Sequence, residues 1–179
     1  MRKFSSIKSL VWLSAVGMAI AVFVQGTISY KQTSFLEDQV DILLQRSMPV
    51  MHKTHDLQLH IVQVQQWLTD ISATRGLDGL DDGFAEADHH AEMFHQVVDE
   101  LVALDPVRKT KYQAIASAFD KYYVQGKRMA QAYVAEGPIG GNALMGDFDK
   151  AAEVMFQRLE PLIAEVDKET KVQEDILES

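Results

Sequence analysis

From Leu10 to Tyr30 the chain carries no charged residue: LVWLSAVGMAIAVFVQGTISY. A helix needs roughly 20 mostly apolar residues to cross a bilayer, and this run meets that length with Gln25, Gly26 and Thr27 as its softer outer end. Arg2, Lys3 and Lys8 precede it, whereas Glu37, Asp38 and Asp41 follow soon after Lys31. The excess of cations on the N-terminal side predicts a cytoplasmic segment over residues 1–9, a transmembrane helix over 10–30, and everything from residue 31 outside. A cleaved signal peptide would have a shorter apolar core and a small-x-small cleavage site, and no convincing site of that kind follows. The expectation is a single-pass anchor in a bacterial inner membrane with the bulk of the chain periplasmic.

The remaining residues predict an all-α fold, an antiparallel up-down four-helix bundle following the transmembrane helix. Four stretches place apolar residues at alternating three- and four-residue steps. The first, about 31–74, has the seam Val50, Thr54, Leu57, Ile61, Val64, Leu68, Ile71, and Arg75-Gly76 stops it. Pro49 lies within it and predicts a bend or break. The second, about 81–104, has Asp81 or Asp82 as its cap and the seam Phe84, Ala87, Ala91, Phe94, Val98, Leu101. Asp105-Pro106 ends it. The third, about 106–136, has the seam Tyr112, Ile115, Phe119, Tyr122, Gly126, Met129, Tyr133, and Gly137-Pro138 stops it. The fourth, about 142–177, has Asn142 as its cap and the seam Met145, Phe148, Ala152, Met155, Leu159, Leu162, Val166, with Pro161 predicting a kink.

At 1.5 Å per residue, the segment from Val50 to Thr74 and the second helix each span roughly 36 Å. Pro49 thus falls level with the Asp105-Pro106 turn, and beyond it only the first and fourth helices continue toward the membrane. Two helices bury little apolar surface, which predicts a homodimer whose four long helices close that half.

Composition narrows the function. A net charge of −9 and a pI near 5.0 lack the basic footprint that nucleic acid requires. The absence of cysteine rules out disulfides, thiolate zinc sites and cysteine nucleophiles. No nucleophile, base and orienting group cluster in the sequence, so no enzyme activity and no cofactor are expected.

The strings QVQQWLTDISATRG (Gln63 to Gly76), YYVQGKRMAQAYVAEG from Tyr122 and GNALMGDFDKAA from Gly141 resemble the periplasmic sensor region of bacterial methyl-accepting chemotaxis proteins and related transducers. With the preceding anchor, the resemblance covers nearly the whole chain. It implies a dimeric four-helix bundle that senses a small molecule or a periplasmic protein. In such receptors the fourth helix runs on into a second membrane span and a cytoplasmic signalling region. This sequence departs from that pattern at Ser179, which leaves open a truncated receptor or a module that works alone. The alternative expectation is an accessory or structural subunit packed against a larger membrane complex.

The candidate ligand-binding residues are His60, Gln63, Trp67, Asp70 and Arg75. The first four share one helix face with Thr74, one position from the core seam. Trp67 would supply an apolar wall and the others polar anchors for a small molecule; a dimer face or interhelical hydrogen bonding fits the same stripe. Arg75 and Arg128 are each weighed as carboxylate binders, against a charge at a helix C-terminus for Arg75 and a solvent-facing cation for Arg128. All six histidines, His52, His55, His60, His89, His90 and His95, precede the third helix. Counting from the Gly76 tip puts His60 and His95 at similar heights, the candidate pair for a metal- or haem-binding bundle. The Glu92-x-x-His95 step is that of di-iron bundles, but no histidine follows to repeat it. Solvated histidines with acidic neighbours at i,i+4 are the plainer reading.

Overall fold

The computed structural model describes residues 7–77 and 82–178. Among these the chain is helical, with no strand. Helix α1 (Ile7–Ile42) passes through one wide π turn (Leu43–Ser47) into α2 (Met48–Thr74). Helix α3 (Gly83–Leu104), a 3-10 turn (Pro106–Arg108), α4 (Lys109–Glu136) and α5 (Pro138–Glu178) follow. Arg2, Lys3, Asp81 and Ser179 lie outside the described residues.

Helix α1 carries the one stretch among the described residues that is long and apolar enough to cross a membrane, with a mean hydropathy of 1.8 and 0% of that window buried. The long side chains of Trp12, Leu13 and Phe23 all point outward. Helix runs without interruption from Ser9 to Thr74, so Pro49 does not break it. Proline lacks the amide that Gln45 would receive and its ring collides with that carbonyl. A π turn widens the backbone at this place, and the Met48 amide donates five residues back, to the Leu43 carbonyl. Pro161 likewise sits inside α5, which continues past it.

One apolar core draws on α2, α3, α4 and α5. Every residue of the seam expected in α2 is buried, and so is every residue of the seam expected in α4, joined by Ala118 and Ala130. In α3 the seam gains Val97, and Phe84 is half-buried. In α5 Met145 departs from expectation and is exposed, while Thr170 extends the buried stripe. Each large aliphatic or aromatic side chain buried in this way contributes roughly 1.5–3 kcal/mol. Aromatic rings link the layers: Phe94 stacks on Phe119 with centroids 3.8 Å apart, and Tyr122 on Phe148 at 5.1 Å.

Between α2 and α3, Lys53 meets Glu100, His60 meets His90, and Ile71 lies against Gly83. Between α4 and α5, Arg108 meets Glu165, Tyr122 meets Phe148, and Tyr133 meets Asn142. Asn142 therefore accepts from Tyr133 instead of capping α5, which begins at Pro138. Asp82 makes no side-chain cap hydrogen bond at the start of α3. Past the level of the Pro106–Arg108 turn, α5 runs beside the first helical segment, with Gln173 donating to Gln39 at 2.6 Å.

Candidate functional site

The α3–α4 turn holds a buried carboxylate. Asp105 is forced out of helical angles by Pro106 (φ −135°, ψ 73°), and its amide still donates to Leu101 at 2.8 Å. The carboxylate thereby turns inward, with a side chain only 1% exposed. Arg108 Nη1 donates to Asp105 Oδ2 at 2.6 Å and Tyr112 Oη donates to the same oxygen at 3.0 Å. Arg46, on the π turn, reaches Oδ1 at 3.4 Å.

Arg108 extends this cluster to the last helix. Its Nε donates to Glu165 Oε1 at 2.9 Å and its Nη2 pairs with Glu169. Lys111 also pairs with Glu165. Three cations face three carboxylates, so the cluster is internally neutralised and its donors are spent on its own acceptors. Burial pushes the Asp105 carboxyl up, but the bonds from Arg108 and Tyr112 outweigh it and hold the group below its ordinary range. Burial works against the Arg108 charge as well, and the three carboxylates more than restore it. Burial, with the adjacent Asp105 charge, pushes the Tyr112 phenol well up.

A groove of about 550 Å3 opens beside this cluster, walled by Ile42, Arg46, Ser47 and Val50 on one side and by Val166, Thr170 and Gln173 on the other. Thr170 Oγ1 donates to the Val166 carbonyl at 3.0 Å and lies 3.5 Å from that of Ser47. The segment leading from the apolar helix, the α3–α4 turn and α5 are thus fastened at one level. A second hollow of about 330 Å3 lies between α2, α4 and α5, lined by Thr69, Ser72, Met129, Tyr133, Met145 and Phe148 among others.

The residues expected to bind a ligand are placed as follows. His60, Gln63 and Trp67 are half-buried, while Asp70 and Arg75 are exposed. The Trp67 ring packs against the core, and its Nε1 is buried with no hydrogen-bond partner among the described residues. Thr74 Oγ1 donates back to the Asp70 carbonyl at 2.9 Å. Arg75 takes left-handed angles (φ 56°) past the end of α2 and lies beside Gly137 of the α4–α5 turn. From His60 to Arg75 a helix rises about 22 Å, so one small molecule can touch only part of the stripe. Arg128 stays on its own helix, against Gln125.

His60 meets His90, with Nδ1 atoms 3.1 Å apart, whereas His95 pairs with Asp120 of α4 at 3.0 Å. His55 pairs with Asp167 at 2.9 Å. Among the described residues no group of three or more His, Cys, Asp or Glu side chains is placed to hold a metal ion.

Sequence reasoning missed the Asp105 cluster. Asp105-Pro106 reads as a helix stop, and Arg108 and Tyr112 follow at three and seven residues, a spacing that keeps all three on one side of the turn. That local spacing was the available signal; the partners lie far along the chain, Arg46 59 positions from Asp105 and Glu165 57 positions from Arg108. Comparison with protein-family models, with curated proteins and with solved structures gave no match for this chain.

Proposed function

We propose that this chain is a membrane-anchored periplasmic sensory module of chemoreceptor type, an antiparallel up-down four-helix bundle acting as a homodimer in a bacterial inner membrane. The pairings of α2 with α3 and of α4 with α5, which join rising to falling residue numbers, support that topology. The observation that carries the reading is the ionic joint at Asp105. It couples Arg46, on the helix continuous with the apolar segment, to Arg108 and so to Glu165 on α5. A ligand or periplasmic protein that shifts α2 against α5 by a small slide or rotation would work on this joint.

The proposed recognition face is the α2 stripe His60, Gln63, Trp67 and Asp70 with Arg75 just past its end, and a small molecule centred on Trp67. Its unpartnered indole N–H supports a ligand that carries an acceptor. Native mass spectrometry of the protein extracted from its own membranes tests this. The expected result is a dimer with a small added mass that Trp67→Ala loses while retaining its helicity. A chain bound stably to a different protein, with no added small mass, would make it an accessory subunit and overturn the reading.

A further inference from the structure

We propose that His60 and His90 form a two-histidine chelate for an imidazole-seeking divalent transition ion, Cu2+ foremost, clamping α2 to α3. The proposal is independent of the sensory reading. Their Nδ1 atoms lie 3.1 Å apart across two helices. Two nitrogens bound to one metal at about 2.05 Å are separated by about 2.9 Å at a right angle and about 3.3 Å at the tetrahedral angle. The observed separation falls between these, so the spacing suits one ion, provided the two rings tilt until both lone pairs converge on it.

In the metal-free pair one Nδ1 carries a hydrogen and donates to the other. Moving that hydrogen to Nε2 frees both Nδ1 lone pairs without releasing a proton to solvent. Among the neighbouring side chains, Asp56 and Glu86 favour a cation at the pair, and Lys53 and His89 oppose it. The His89 ring neighbours the pair, with its centroid 5.5 Å from that of His90. Water or an outside ligand would fill the other coordination positions. Imidazole selects Cu2+, Ni2+ and Zn2+ over Mg2+ and Ca2+, and Cu2+ binds tightest in that series.

The test is titration of the full chain in lipid nanodiscs with Cu2+, read by calorimetry and by electron paramagnetic resonance. Expected is one saturable site whose spectrum shows coupling to two imidazole nitrogens, and a melting temperature raised by the ion. Losing one ligand should cost at least what losing an outer-shell partner does, about 10- to 100-fold in affinity. His60→Asn and His90→Asn should each show that loss, and His95→Asn should not. Wild-type protein with no saturable site, a spectrum with one coupled nitrogen, or variants binding as tightly as wild type would overturn the proposal. The wild-type spectrum and melting shift decide the matter even if a variant folds poorly.

Discussion

The Tyr112 hydroxyl donates to Asp105 at 3.0 Å, and both side chains are shut off from solvent. The carboxylate also receives Arg108 and Arg46, so the two residues contribute unequally. Removing Asp105 takes from the largely buried Arg108 its one fully buried counter-charge and leaves the more exposed Glu165 and Glu169; breaking a buried pair from one side costs up to about 3–5 kcal/mol. Removing the Tyr112 hydroxyl forfeits one bond to a charged acceptor, about 1.5–3 kcal/mol. Denaturant unfolding of Asp105→Ala and Tyr112→Phe should show that order, with the double variant less destabilised than the sum of the two.

Acid should weaken the fold in two separate windows. His60 and His90 titrate below their ordinary 6.5, so the unfolded chain binds protons first as pH falls and stability drops through that range. The groups facing them are Lys53 and Asp56 on α2 and Glu86 and His89 on α3. Asp105 is held below its ordinary 3.8 and Glu165 below 4.5. Their contribution is therefore intact above those values and is lost only as pH falls through the lowered ones. Melting temperatures measured in chelator-containing buffer should fall first below about pH 6.5. That first step should shrink in His60→Asn and in His90→Asn while the lower one persists.

Gly126 and Gly146 should respond to alanine with opposite signs. A Cβ on Gly126 would lie 2.6 Å from Leu68 Cδ1 and 2.9 Å from Phe148 Cε2. Overpacking of this kind costs about 1–3 kcal/mol, more than the roughly 0.5–1 kcal/mol a helix gains from Gly→Ala. A Cβ on Gly146 meets nothing within 4 Å, so there the helical gain stands alone. Thermal melts of the two single variants would separate them.

The long apolar helix was legible as an uncharged run, and the seams of α2 and α4 because three- and four-residue spacing translates directly into a buried face. The fate of Pro49 was not, since a break, a bend and a widened turn all relieve the same clash, and long-range contacts of α5 with Ser47 and Gln39 bear on which one forms. Counting residues from the Gly76 tip gave heights but not helix rotation. His95 thus turns toward Asp120 on α4 while His90 faces His60. The Asp105 cluster was hidden for a related reason: its members come from three separated segments, and pairing between distant charges leaves no periodic trace.

The wide turn at Leu43–Ser47 has a consequence for orientation. Adding about one residue to a helical turn advances the phase by about 100°. The heptad count of the core therefore does not carry through to the apolar helix. Which edge of that helix lies beneath which edge of the core depends on this turn, placed immediately ahead of Pro49. A transmembrane segment borrowed from another protein and joined upstream of Leu43 would inherit its azimuth from these few residues, whatever pattern its own surface carried.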